Sequence, residues 1–164
     1  MRIRPVAERD LPAIRDIYNH YVRSSTVTFD EVESTVDGWA DKAARVAAAG
    51  IPFLIAESDA GELCGYAFGQ PWSAKSAYRF TIENSIYLAP SAAGHGIGWA
   101  LMAEFLEACR EAGLRQVVAV IADRGATASL GLHRKAGFAD AGRLVAVGEK
   151  FGEPLGVHLL QKTL

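Results

Sequence analysis

The sequence predicts an α/β (or α+β) fold in one domain over residues 1–164, a mixed sheet covered by helices on both faces. Three observations carry that expectation. Half of the 164 residues are apolar and 22% are charged, a globular composition at a length that buries a real core. Stretches of helical and strand periodicity alternate in the order β-α-α-β-β-β-α-β-α-β-β, with no repeat, low-complexity tract or linker between them. Helices interspersed among hairpin signals, finally, argue for a sheet with both faces covered.

The opening strand, "RIRPV", contains Pro5 and so belongs near an edge, because proline cannot donate to a ladder. Asp10 reads as the cap of a helix with Pro12 in its first turn and an apolar stripe of Leu11, Ile14, Ile17, Tyr18, Tyr21 and Val22. After the polar, β-branched loop "RSSTVTFDEVE", Ser34 and Asp37 have capping-box spacing and open a second helix through Trp39, Ala43 and Val46 to Gly50. "IPFLIAES" and "ELCGYAFGQPW" are strands joined by "DAG", and "RFTIENSIYL" is a longer strand beginning at Arg79. A helix from about 96 to 112 stops at Gly113. The strand "RQVVAVIAD", the helix "TASLGLHRKAG" and two strands at roughly 138–147 and 155–163 complete the chain.

A formal charge of −2 leaves no nucleic-acid footprint, and the longest apolar stretch is too short to span a bilayer. "MRIRPVAERD" lacks the apolar core of a signal peptide, and Cys64 and Cys109 lie in apolar patterns without CxxC spacing. The expectation is a cytoplasmic protein with two buried thiols and no nucleic-acid or membrane partner.

The most distinctive stretch is "ENSIYLAPSAAGHGIGWAL", with Gly94, Gly96 and Gly98 between a strand and a helix. A plain turn needs one or two glycines. A dinucleotide fingerprint needs a third glycine or alanine where this chain has Trp99 or Leu101, and an NTPase loop needs Gly-Lys-Ser/Thr. A third reading keeps the physics of both: uncovered amides at a helix start attract a pyrophosphate without lysine or metal.

Here the chain resembles the GCN5-related N-acetyltransferases (GNAT). The spacing P-x-x-x-[GR]-x-G-x-G after a strand and before an amphipathic helix is similar to their acetyl-CoA loop. Within that superfamily, "YRFTIENSIYL", "ASLGLHRKAGF", "IYNHYVRSSTVTFDE" and "VGEKFG" resemble the phosphinothricin and methionine sulfoximine acetyltransferase group. The resemblance implies the GNAT fold, with a mostly antiparallel sheet, acetyl-CoA as cosubstrate, no metal, a small-molecule amine acceptor and a homodimer. It places the cofactor against Ile86, Tyr87, Leu88, Gly94, His95, Gly96, Ile97, Gly98, Trp99, Ala126, Ser129 and His133. Strand residues 86–88 would serve the pantetheine arm, and an N–H there the carbonyl oxyanion. The acceptor falls to Ser73, Ala74, Lys75, Arg79, Glu83, Asn84 and Ser85. The chain departs from the group at Ala92 and Ala93, where Gln or Arg is usual, at Ala126 in place of Asn, and at Pro154 in place of Trp.

Strand alternation puts Arg79, Thr81, Glu83, Ser85 and Tyr87 on one face and Phe80, Ile82, Asn84, Ile86 and Leu88 on the other. A carboxylate at mid-strand is either paired across the sheet or used. The resemblance makes Glu83 the general base toward the ammonium, and partial burial would raise its pKa to suit. His133 stands where many relatives carry Tyr; it is either the proton donor to the leaving thiolate or a cofactor contact. Arg79, about 13 Å from Glu83 along the strand, would fork onto the anionic end of an amino-acid-like acceptor. Other amine acceptors (a polyamine, an aminoglycoside, a peptide N-terminus) and a non-catalytic acyl-CoA-binding module are the alternatives. His20 and His158 have no companions at ligand spacing, so no metal site is expected.

Overall fold

The computed structural model describes residues 1–164, and its elements follow the expected order. They are β1 (Arg2–Pro5), α1 (Leu11–Ser24), α2 (Val36–Ala48), β2 (Phe53–Glu57), β3 (Leu63–Pro71), β4 (Thr81–Leu88), α3 (Ile97–Glu111), β5 (Gln116–Ala122), α4 (Thr127–Lys135), β6 (Ala139–Lys150) and β7 (Glu153–Thr163). Seven strands form one sheet in the order β1-β2-β3-β4-β5-β7-β6. Every pairing is antiparallel except β4 with β5. Pro5 does lie on an edge strand, where its missing N–H costs no ladder bond.

The alternation of side chains along β4 decides which helices cover which face. Tyr87 packs on Tyr18 and Tyr21 of α1 and stacks on Tyr66 of β3, and Tyr66 meets Trp39 of α2. Leu88, one residue on, points the other way and lies against Gly98 of α3, which also faces Leu132 of α4. So α1 and α2 cover one face, and α3 and α4 cover the other. The core between them holds a continuous cluster of 27 buried residues, including Ile14, Trp39, Ile55, Ile82, Phe105 and Leu160. No helix is long and apolar enough to cross a membrane.

Several local expectations need correction. Asp10 does not cap α1: its carboxylate accepts two bonds from the Arg4 guanidinium at 2.7 and 2.8 Å and one from the Ala7 amide at 2.8 Å. An ion pair with β1 outcompetes the local cap, and α1 is instead preceded by a 3-10 turn at Glu8–Asp10. Thr35, not Ser34, caps α2 by accepting from the Gly38 amide at 3.0 Å; the Ser34 hydroxyl accepts from the Trp39 indole N–H. Only Cys109 is buried, its thiol pushed up to about 12 by that burial, whereas Cys64 is half-exposed.

The strand around Glu83 begins at Thr81, because residues 76–78 form a 3-10 turn continued by Arg79 and Phe80. The closing strands are longer than expected. They meet in a two-residue turn at Phe151 and Gly152, both at positive φ (54° and 74°), and β6 bulges between Leu144 and Gly148. Lys150, at the end of β6, is buried and donates from Nζ to the carbonyls of Ser25 and Thr28, at 2.8 Å each. That contact ties the β6–β7 hairpin to the segment between α1 and α2.

Candidate active site

The glycine turn solves two separate problems. Gly94 and Gly96 sit at φ of 82° and 78°, where a side chain strains the backbone, and a Cβ on either would meet nothing within 4 Å. Gly98 has helical geometry but is pressed close, since a Cβ there would come within 3.3 Å of Leu88 Cδ1. The first two glycines therefore shape an open turn, and the third lets α3 settle on β4. Gly96 is the residue before α3 and makes no side-chain cap. The amides of Ala93, Gly94, His95, Gly96, Ile97 and Gly98 donate to no group in the protein. The Trp99 amide, expected among them, is spent on the Gly96 carbonyl at 3.1 Å. A fan of free N–H groups at the start of a 15-residue helix has the donors and the dipole to hold an anion with backbone alone. His95 and Trp99 are exposed beside it, and Lys135 Nζ lies 4.5 Å from the centre of the Trp99 ring.

Below this turn the sheet opens. β4 and β5 are paired only at Thr81, Ile82 and Glu83 against Gln116, Val117 and Val118. β4 stays paired with β3 as far as Leu88, and β5 with β7 as far as Ala122. Residues 84–88 therefore share no ladder with β5, and the two strands diverge toward the turn. Ile86, Tyr87 and Leu88 line this gap, with the Leu88 carbonyl taken by the Tyr21 hydroxyl at 2.8 Å. An extended ligand with amide groups suits such an unpaired strand edge, as an added strand would. Turn and gap together fit a molecule with a phosphate end and a polar, strand-like arm, which is the form of acetyl-CoA.

Glu83 is the last β4 residue paired with β5, so it stands at the closed end of the gap. It is half-buried, and no lysine or arginine forms an ion pair with it, which removes the cross-sheet pairing that the sequence left open. Burial pushes its carboxyl above the usual carboxylate range, with the amide of Gln70, its partner on β3, pulling the other way. The same face carries Tyr87, whose phenol burial pushes up to about 12, and the aromatic floor of Tyr18, Trp39, Tyr66 and Phe68. Lys42 of α2 reaches over this floor, its Nζ 4.5 Å from the Trp39 centroid and 5.4 Å from that of Phe68. It makes no salt bridge, and burial lowers its pKa.

His133 and Asn84 meet on the opposite face. Asn84 Nδ2 lies 3.0 Å from His133 Nε2, and His133 Nδ1 lies 2.8 Å from the Ser129 carbonyl oxygen. A carbonyl only accepts, so Nδ1 carries the proton and Nε2 is the acceptor of the asparagine N–H. His133 is 2% exposed, and burial lowers its pKa, which keeps the ring neutral. With its one N–H committed to the Ser129 carbonyl, the ring does not fit the proton donor that the sequence offered as one of two roles. Ser129 meets it through that carbonyl, its hydroxyl being at a weaker 3.4 Å. Ala126, buried at the start of α4, offers no polar side chain.

Arg79 is not on the Glu83 face. It ends the 3-10 turn, donates to the Ser76 carbonyl at 3.3 Å and lays its guanidinium over Phe80 at 4.4 Å, opposite a similar contact from Arg115 at 4.3 Å. Stacking on the neighbouring aromatic wins over reaching four residues along a strand that has not yet begun. Ala74 and Lys75 are exposed in the loop before that turn, and Ser73 accepts from the Lys75 amide. Ser85 shares the face of Glu83 opposite Phe68, whereas Asn84 points away from it. Sequence reasoning passed over Gln70, Lys42 and Tyr21. Gln70 alone left a signal, a polar residue ending an apolar strand.

Known proteins similar to this chain are acetyltransferases. Residues 14–138 match the acetyltransferase (GNAT) family. A phosphinothricin N-acetyltransferase from Alcaligenes faecalis is 44% identical over 99% of this chain and 82% of its own length. An L-methionine sulfoximine/L-methionine sulfone acetyltransferase from Pseudomonas paraeruginosa is 37% identical over 99% of this chain and 94% of its own. The crystal structure of a phosphinothricin acetyltransferase from Sinorhizobium meliloti in complex with acetyl-CoA superposes with a TM-score of 0.94, at 35% identity over 99% of this chain and 88% of that one. With its free-amide turn, opened sheet and these relatives, the chain belongs to the GNAT family of acetyltransferases, as an acetyl-CoA-dependent N-acetyltransferase.

Proposed function

We propose that the enzyme acetylates the amine of a small amino-acid-like acceptor of the phosphinothricin, methionine sulfoximine or methionine sulfone type, with Glu83 as general base. The observation that carries this reading is a half-buried carboxylate with no cationic partner at the closed end of the β4–β5 gap. Its raised pKa matches a group that must take a proton from an ammonium near neutral pH. Glu83 takes one proton from the ammonium and the freed amine attacks the thioester carbonyl; the C–N bond forms, the C–S bond breaks, and the second nitrogen proton passes to the departing thiolate, giving the thiol. Those backbone N–H groups of residues 84–88 that point away from β3 have no partner on β5 and suit the developing oxyanion. The names of the relatives support the acceptor class.

Because Arg79 is engaged elsewhere, we assign the acceptor's anionic end to Lys42, the unpaired cation over the aromatic floor on Glu83's side. The exposed apolar residues Leu144, Val145, Val147 and Phe151 of the edge hairpin support a homodimer, to be checked by light scattering. The deciding experiment is acetyl-CoA turnover against a panel of phosphinothricin, methionine sulfoximine, methionine sulfone, a polyamine, an aminoglycoside and a peptide. Highest kcat/KM on the first three supports the reading; preference for another amine replaces the acceptor class, and no turnover at all leaves only acyl-CoA binding.

A further inference from the structure

Asn84 is the first residue of β4 beyond the pairing with β5, which places it at the head of the gap beside Glu83 but on the other face. It is 6% exposed, and its orientation is not free. The Ser129 carbonyl fixes the proton of His133 on Nδ1; the lone pair left on Nε2 requires an N–H from Asn84, so the amide cannot turn over. The consequence is an orphan. Asn84 Oδ1 is buried and has no hydrogen-bond partner in the protein. A buried amide oxygen without a donor is costly, and folding has a cheap alternative in any apolar side chain of that size. An orphan at the head of the gap points to a donor brought by a ligand.

We propose that Asn84 Oδ1 accepts the N–H of the acetyl-CoA amide nearest the thioester, and that His133 is the positioning residue that aims it. The inference rests on the reading of the β4–β5 gap as the channel for the pantetheine arm. Neither the thioester nor its sulfur carries a donor, so the partner must be an N–H or O–H of the arm. Glu83 is the adjacent residue, so the reacting carbon lies near this level of the strand. The group within reach on the far side of the sulfur is the amide two methylenes away. The acceptor amine then approaches from Glu83's face while the arm is gripped from Asn84's face, which leaves the carbonyl exposed to attack across the sheet.

Calorimetry separates this inference from the reading it rests on. Adenosine 3′,5′-bisphosphate, which lacks the arm, reports on the glycine turn alone; CoA reports on turn and arm together. Asn84→Leu should weaken CoA roughly 3–10-fold, the range for one neutral hydrogen bond, and leave the bisphosphate unchanged. His133→Phe, which frees the amide to rotate, should give a smaller loss with the same selectivity. The ligand can be changed instead of the protein: a CoA analogue with an ester oxygen in place of that N–H should bind wild type roughly 3–10-fold more weakly than CoA. It should bind Asn84→Leu no more weakly than CoA does. If wild type binds analogue and CoA equally, the proposal is overturned even should the variants fail to fold. Equal losses for CoA and bisphosphate in Asn84→Leu would also overturn it, by making Asn84 structural. Failure of wild type to bind either ligand removes the channel reading itself.

Discussion

The two faces of β4 treat neighbouring polar side chains in opposite ways. Glu83 is half-buried and unpaired by any cation, with Gln70 opposite it on β3, so its charge remains available and its pKa is raised. Asn84 is buried and fixed through His133 to the backbone of α4, so its geometry is set and its chemistry inert. Reaction needs a group whose protonation changes, and gripping needs one whose position does not. Strand alternation supplies both within two residues because each points into a different layer. The glycine turn, beyond the end of the same strand, offers unpaired backbone amides.

The sharpest way to break this division is Glu83→Gln. The substitution keeps shape and removes the proton acceptor, so kcat at pH 7 should fall roughly 10²–10⁴-fold while CoA affinity by calorimetry stays put. A comparable loss of CoA affinity would move Glu83 from the reacting to the gripping side. Gly96→Asp comes next: the left-handed φ of 78° tolerates Asp better than most residues, but a carboxylate among the free amides repels pyrophosphate. CoA binding should weaken by about 2 kcal/mol, close to 30-fold, with the fold intact by circular dichroism.

A smaller effect sharpens the acceptor side. Lys42→Met should raise KM roughly tenfold for an acceptor with an anionic end and leave a simple amine unchanged, since one charge-assisted bond is lost at ~1.5 kcal/mol. Arg79→Ala, whose guanidinium is spent on Phe80 and Ser76, should change neither acceptor. The smallest effect is on stability. A carboxyl whose folded pKa is raised destabilises the fold when ionised, so Glu83→Gln should raise Tm at pH 7 to 8. That gain should shrink as the pH falls through the raised folded pKa. It should vanish below about 4, where folded and unfolded wild type are both protonated.

How much of this was legible in the sequence follows the range of the interactions. Element order, the edge position of Pro5 and the split of Glu83 from Asn84 depend on local periodicity and were readable. The glycine trio was readable as an open turn of uncovered amides, although the distinct reason for Gly98, its approach to Leu88, needed the packing. The gap was not, because it depends on where a parallel ladder ends between strands some thirty residues apart. Nor was the bond from Asn84 to His133, 49 residues away, which together with the Ser129 carbonyl engages both ring nitrogens. Arg79 misled because strand alternation was extended two residues into a turn, and Asp10 because an ion pair displaced the cap that local pattern favours.

The measurement that bears most directly on the division of labour across β4 is the pH dependence of kcat/KM for wild type and Glu83→Gln on one acceptor. Wild type should lose activity only at acid pH, on a limb displaced above the usual carboxylate range by the burial of Glu83. The variant should lack that limb and climb about tenfold per pH unit until the acceptor amine deprotonates by itself, closing on wild type at high pH. Two profiles of the same shape, offset by a constant factor, would contradict a proton transfer at Glu83.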